Sequence, residues 1–277
     1  SPNEEILFNI LGACYAGLGD HNAAIKNYEK AIIIKPDYAK AHFNLGGAFQ
    51  DIGQLNSSVK SYEKAIDIEP NFAEAHNNVG NVLRELGQLD TAISYYERTL
   101  VINPKYIEAH YSLGSVFEEL GQLNSAVKCY KKVLSIKPEF SEMHNNLGVI
   151  LQNQGQLNDA VIHLKKAVSI KPNFAEAHNN LGNIYKDLNQ YDAAINCYEK
   201  AVSIKSNYAE AYFNLGTLLN QLGRLEAAIK NLKIAVSNKV NYGEAEHLLN
   251  ALTGKTTQSP PEAVSYTHLT LPTIYSV

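Results

Sequence analysis

Residues 175–208 read AEAHNNLGNIYKDLNQYDAAINCYEKAVSIKSNY, and this stretch decides the fold. Its apolar residues fall at helical spacing in two runs. Ala177, Leu181, Ile184 and Leu188 form one stripe; Ala194, Ile195, Tyr198, Ala201 and Val202 form the other. Asn173, three before Glu176, reads as a cap for the first helix, and Asp192 as a cap for the second. Between the two runs, Asn189 suits the left-handed conformation that ends a helix. Two short helices joined by a tight turn make an αα-hairpin, and one such hairpin cannot bury its stripe alone.

The same pattern returns along the chain. An apolar residue followed by glycine recurs at Leu11-Gly12, Leu45-Gly46, Val79-Gly80, Leu113-Gly114, Leu147-Gly148, Leu181-Gly182 and Leu215-Gly216, a constant step of 34 residues. A second glycine follows each pair (Gly19, Gly53, Gly87, Gly121, Gly155, Gly223), with Asn189 in its place once. Small residues come next, from Ala24 and Ser58 to Ala228, then a large one: Tyr28, Tyr62, Tyr96, Tyr130, Leu164, Tyr198, Leu232. Pro36, Pro70, Pro104, Pro138 and Pro172 close five units, where Ser206 and Val240 close the last two. Proline bars continuation of a helix, and glycine beside a large side chain lets two helices approach closely.

This pattern and period resemble the tetratricopeptide repeat family over about residues 5–242, as seven units. The resemblance implies an all-α, right-handed superhelical solenoid of seven helix-turn-helix hairpins. Residues 243–254, with Ala245, Leu248, Leu249 and Leu252, are expected to add a capping helix that Gly254 ends. Residues 255–263 read as a linker. Residues 264–277 have no helical period and resemble translated adaptor sequence, so they are expected to be a non-native tail. Together with Ser1 in place of methionine, that tail reads as the mark of a fragment. The family's tryptophan at the fourth helical position is absent; Phe8, His42, His76, His110, His144, His178 and Tyr212 stand there.

Composition narrows the function. The chain has 277 residues, of which 45% are apolar, too many for a disordered chain. Its net charge of −4 leaves no basic excess for phosphates, so nucleic acid is not an expected partner. The longest purely apolar run, about Ala31 to Ile34, cannot span a bilayer, so no membrane is expected. Cys14, Cys129 and Cys197 are too far apart for a disulfide framework or a paired metal knuckle. Free cysteines and the absence of a signal segment point to the cytoplasm. No phosphate loop, nucleophile elbow or paired-cysteine motif is present, so neither catalysis nor a cofactor is expected of these residues.

Two repeated polar positions remain. The five histidines sit on successive repeats, whose helices lie about 8–10 Å apart. Zinc needs its nitrogens about 2 Å from one point, so the histidines read as packing residues and no metal is expected. The asparagines before the apolar–Gly pairs are Asn44, Asn78, Asn146, Asn180 and Asn214, with Ser112 in one repeat and Ile10 in the first. They are expected on the inner, concave wall, joined by Asn81 and Asn183 one turn on and by Asn77, Asn145 and Asn179 one position before. A carboxamide both donates and accepts, so an evenly spaced row can bond an extended peptide backbone whatever its sequence. The asparagines also resemble those in the repeat arm of the O-linked N-acetylglucosamine transferases. That resemblance implies that Asn44, Asn78, Asn146, Asn180 and Asn214 hold a substrate peptide.

A groove that grips a C-terminal carboxylate with bases is disfavoured. The matching first-helix positions are Glu74, Glu108, Glu142, Glu176 and Glu210, with Lys40 the one base. These glutamates read as first-turn residues that favour the helix N-terminus. The expected function is a non-catalytic scaffold for a protein or extended peptide. The alternative is the targeting arm of an enzyme, either a glycosyltransferase of the kind just named or a methyltransferase. Residues 245–254, with Pro260 and Pro261, resemble the junction between tetratricopeptide repeats and a methyltransferase domain in bacterial fusion proteins.

Overall fold

The computed structural model describes residues 3–239 and 242–254. They contain fifteen α-helices and no strand. The expected linker and tail, and Val240, lie outside the described residues. The chain divides into two compact units, residues 1–171 and 172–277.

The first unit holds five hairpins: α1 (Glu4–Gly17) with α2 (His21–Ile34), α3 (Ala39–Asp51) with α4 (Leu55–Ile68), α5 (Ala73–Glu85) with α6 (Leu89–Ile102), α7 (Ile107–Glu119) with α8 (Leu123–Ile136), and α9 (Ser141–Asn153) with α10 (Leu157–Ile170). The second holds α11 (Ala175–Asp187) with α12 (Tyr191–Ile204), α13 (Ala209–Gln221) with α14 (Leu225–Asn238), and α15 (Gly243–Thr253). Within each unit every helix packs on its sequence neighbours, as in a solenoid.

The α5–α6 hairpin shows why these residues fold this way. Its apolar stripe, Val79, Val82 and Leu83, joins Tyr96 from α6 and Tyr62, Leu113 and Val116 from the hairpins on either side in one core. A Cβ on Gly80 would lie 2.7 Å from Tyr96 Cε1, so only glycine lets α5 come this close to the ring. The turn is a Schellman motif: Gly87 N–H donates to Arg84 O, and Gln88 N–H to Leu83 O at 2.8 Å, with Gly87 at φ +74°. Asn189 makes the same turn at φ 59°, as its side chain allows. In the second unit Ala245, Leu248, Leu249 and Leu252 of α15 pack against Leu232 and Ala235 of α14.

The caps differ from expectation. α11 begins after Phe174 and α12 after Gln190, and neither Asn173 nor Asp192 caps its helix. At α11 the N-cap position falls to Phe174, two after Pro172, and at α12 to Gln190, and neither makes a side-chain capping hydrogen bond. Asp20 is a true cap, accepting from Ala23 N–H at 3.0 Å.

Candidate functional site

The first helices carry the repeated polar positions, and the closing turns orient them. His42, His76, His110, His144 and His178 each place Nε2 2.9–3.0 Å from the carbonyl oxygen of the proline six residues earlier. Each histidine thus ties the start of its helix to the turn that enters it. Burial pushes the imidazoles of His76, His144 and His178 below the usual histidine range, which keeps them neutral and Nε2–H a donor. His144 also meets His163, Nδ1 to Nδ1, at 2.9 Å. Among the described residues no group of three or more His, Cys, Asp or Glu side chains is placed to hold a metal.

All seven candidate asparagines are half-buried. In the first unit, Asn44 Nδ2 donates to Asn9 Oδ1 of the preceding hairpin at 2.9 Å. Asn78 Nδ2 donates to Tyr62 Oη at 3.4 Å. Asn81 Oδ1 accepts from Tyr96 Oη at 2.9 Å and from Ser112 Oγ at 3.3 Å. Asn146 accepts from Asn145 Nδ2 at 3.4 Å. In the second unit, Asn183 Oδ1 accepts from Tyr198 Oη at 2.7 Å, and Asn214 Nδ2 donates to Asn179 Oδ1 at 3.0 Å. Asn180 lies half-buried on α11 beside the fully buried Asn179.

Asn77, Asn145 and Asn179, expected on the open wall, are instead buried, with 4%, 7% and 0% of their surface exposed. Asn179 lies at a seam between helices, where it accepts from Asn214 and donates to Glu210 Oε1 at 3.3 Å, while Asn77 and Asn145 donate to their neighbours Asn78 and Asn146. The first-turn glutamates also act beyond their own helix ends. Glu142 pairs with Lys171 at 2.8 Å and Glu176 with Lys205 at 3.0 Å, each closing its own hairpin.

The large residue of the second helix serves both core and site. Its ring lies against the glycine of the first helix, and its hydroxyl reaches polar groups of first helices. Tyr62 donates to Gln50, Tyr96 to Asn81, Tyr130 to Glu118 and Tyr198 to Asn183. Burial pushes the Tyr96 phenol up to about 12, so it stays a donor. Where leucine replaces the tyrosine, at Leu164 and Leu232, the facing positions are Val149 and Thr217, and Thr217 Oγ1 is buried with no partner. One signal for this pairing lies in the sequence: Asn81, Ser115 and Asn183 each stand fifteen residues before a tyrosine.

Stacked αα-hairpins with polar rows on their first helices define a repeat protein of the scaffold kind. The chain belongs to the tetratricopeptide repeat family. Models described as TPR repeat match residues 12–53, 46–83, 80–121, 119–155, 153–189 and 182–223, and a tetratricopeptide repeat model matches 209–239. The fold is similar to that of MamA, at 28% identity over 58% of this chain and 94% of that one, with a TM-score of 0.55. It is also similar to YrrB, a TPR protein with an unusual peptide-binding site, at 23% identity over 69% and 98% with a TM-score of 0.59. A tetratricopeptide repeat protein from Parabacteroides merdae matches at 19% identity over 91% and 99%, with a TM-score of 0.62. No curated protein matches the sequence. Among the described residues no helix is long and apolar enough to cross a membrane.

Proposed function

We propose that the chain is a protein-interaction scaffold that holds an extended peptide through carboxamide rows. Asn44, Asn78, Asn81 and Asn146 form the row of the first unit; Asn180, Asn183 and Asn214 form that of the second. One observation carries the reading. At Asn44, Asn81, Asn183 and Asn214 an internal hydrogen bond fixes one end of the amide, while the other end is neither bonded to a described residue nor shut away from solvent. Asn44 and Asn214 thereby offer an acceptor, and Asn81 and Asn183 a donor. An extended backbone presents both kinds of partner. An amide already oriented loses little freedom on binding.

The test uses a peptide selected from a random display library, with affinity measured by calorimetry. Each amide–backbone bond adds about 0.5–1.5 kcal/mol net. Replacing Asn146 and Asn180 together by alanine should therefore weaken binding roughly five- to hundredfold and leave the circular dichroism spectrum unchanged. An unchanged affinity in that double variant overturns the reading. The alternative, a targeting arm of a methyltransferase or glycosyltransferase, is supported by the sequence resemblances alone; the genomic sequence downstream tests it.

A further inference from the structure

The first unit carries a second feature, lined by none of the carboxamide positions. The residue opposite the histidine, where a hairpin has one, is not fixed: it is Ser61, Tyr95, Cys129, His163 or Cys197. In the α5–α6 hairpin it is Tyr95, whose ring centroid lies 5.9 Å from that of His76. In the α9–α10 hairpin it is His163, at 5.2 Å from His144. In the α7–α8 hairpin the equivalent residue is Cys129, beside His110, and the smaller side chain goes with a hollow of about 720 Å³ bounded by α6, α7 and α8. Its apolar surface comes from Leu100, Val101, Leu113 and Cys129. Val101 is 70% exposed, an apolar lip open to water. Burial pushes the Cys129 thiol up to about 11, so the floor is uncharged at neutral pH.

The rim has a sign. Lys128, Lys131 and Lys132 of α8 border the hollow, all exposed, and Glu97 is the one carboxylate among the lining residues. None of these three lysines forms an ion pair with a described residue, whereas Lys166, Lys171 and Lys205 elsewhere do. A positive rim over an apolar floor in a chain of net charge −4 selects by charge as well as by shape. The hollow is too open to enclose an aliphatic chain, which would leave one side in water. A side chain presented from a protein backbone meets this difficulty by covering the opening itself.

We infer that this hollow docks an acidic protein segment, which inserts one large apolar side chain beside Cys129 and lays carboxylates over Lys128, Lys131 and Lys132. The inference is independent of the carboxamide rows. The probe is a fluorescein-labelled peptide with one phenylalanine flanked by acidic residues, read by fluorescence anisotropy on the full chain. It should bind, and more weakly as salt is added. The exposed triple change Lys128→Glu, Lys131→Glu, Lys132→Glu should weaken binding at least tenfold. Cys129→Tyr, which copies Tyr95 and fills the hollow, should do the same with the lysines intact. The control, Lys26→Glu, Lys60→Glu, Lys230→Glu, makes the same change in net charge elsewhere and should bind as the parent does. Equal binding by the parent and the first triple variant overturns the inference. So does equal binding of a peptide with alanine in place of phenylalanine, or binding of dodecanoate at this site without binding of the peptide.

Discussion

Gly46 and Gly47 are neighbours on α3, and the packing predicts opposite results for the same substitution. A Cβ on Gly46 would lie 2.7, 2.8 and 2.9 Å from Tyr62 Cδ1, Cε1 and Cγ. The ring is 2% exposed, lies tilted against Phe43 with centroids 5.4 Å apart, and shares its hydroxyl with Gln50 and Asn78, so it has nowhere to go. A Cβ on Gly47 would meet Tyr62 Oη at 3.5 Å, an ordinary contact. Alanine in place of glycine favours a helix by about 1 kcal/mol at either position. Overpacking a filled core costs about 1–3 kcal/mol, and the pinned ring puts Gly46→Ala in the upper part of that range. The expected outcome is a gain of about 1 kcal/mol for Gly47→Ala and a net loss of about 1–2 kcal/mol for Gly46→Ala. Urea unfolding by circular dichroism ranks the two variants. Because repeats open locally, amide exchange in α3 and α4 gives the local value. A displaced Tyr62 also loses Asn78, so Gly46→Ala should weaken peptide binding too. If Gly46→Ala is as stable as Gly47→Ala, close helix approach is not what holds these hairpins.

Replacing His178 by alanine removes the bond to the Pro172 carbonyl and should cost about 1 kcal/mol, seen as faster amide exchange at the start of α11. Asn189→Gly should be neutral or stabilising, because the left-handed turn suits glycine, whereas Asn189→Ala should lose about 1 kcal/mol in thermal unfolding. Acidification should destabilise the fold. Burial holds His76, His144, His163 and His178 below the ordinary imidazole value of 6.5, with Arg98, Lys131, Lys166 and Lys200 also disfavouring their charge. These histidines take up protons on unfolding, so their contribution is complete above pH 6.5 and is lost as the pH falls below it. An unfolding midpoint that stays flat from about pH 7 to about pH 5 contradicts this.

Much of the fold was legible because steric requirements repeat with the period. Gly80 against Tyr96 and the positive φ of Gly87 and Asn189 are local demands, so the residue types that meet them stand at fixed steps. The caps were not legible. Asn173 and Asp192 have the chemistry to cap, but the turn starts each helix one or two residues away and gives the N-cap position to Phe174 and Gln190. Spacing marks the histidines as packing residues; the bond to the proline carbonyl depends on the shape of the turn, which spacing alone does not give. Asn77, Asn145 and Asn179 are polar and lie on first helices, which suggests the open wall, yet the structure buries them. A carboxamide that finds another across the seam, as Asn179 finds Asn214, is stable in the interior.

Because one chain presents the same unit seven times, its repeats serve as controls for one another. The glycine of the apolar–Gly pair does not vary, and each one has a ring or a leucine against it. The residue facing that helical position, which is histidine in five units, takes five identities among the seven: Asn27, Ser61, Tyr95, Cys129, His163, Cys197, Asn231. A position required for stacking could not change so freely, since each loss of fit would open a cavity or strand a polar group. This one changes because it lies at the margin of the core, where a larger or smaller side chain alters the outer relief and leaves the helices in register. The hollow beside Cys129 is one such alteration. A partner that binds there would read one repeat among seven, whereas the carboxamides proposed to hold a peptide recur from repeat to repeat. Cys129→Tyr therefore separates the two modes: it should weaken the first at least tenfold and leave the second.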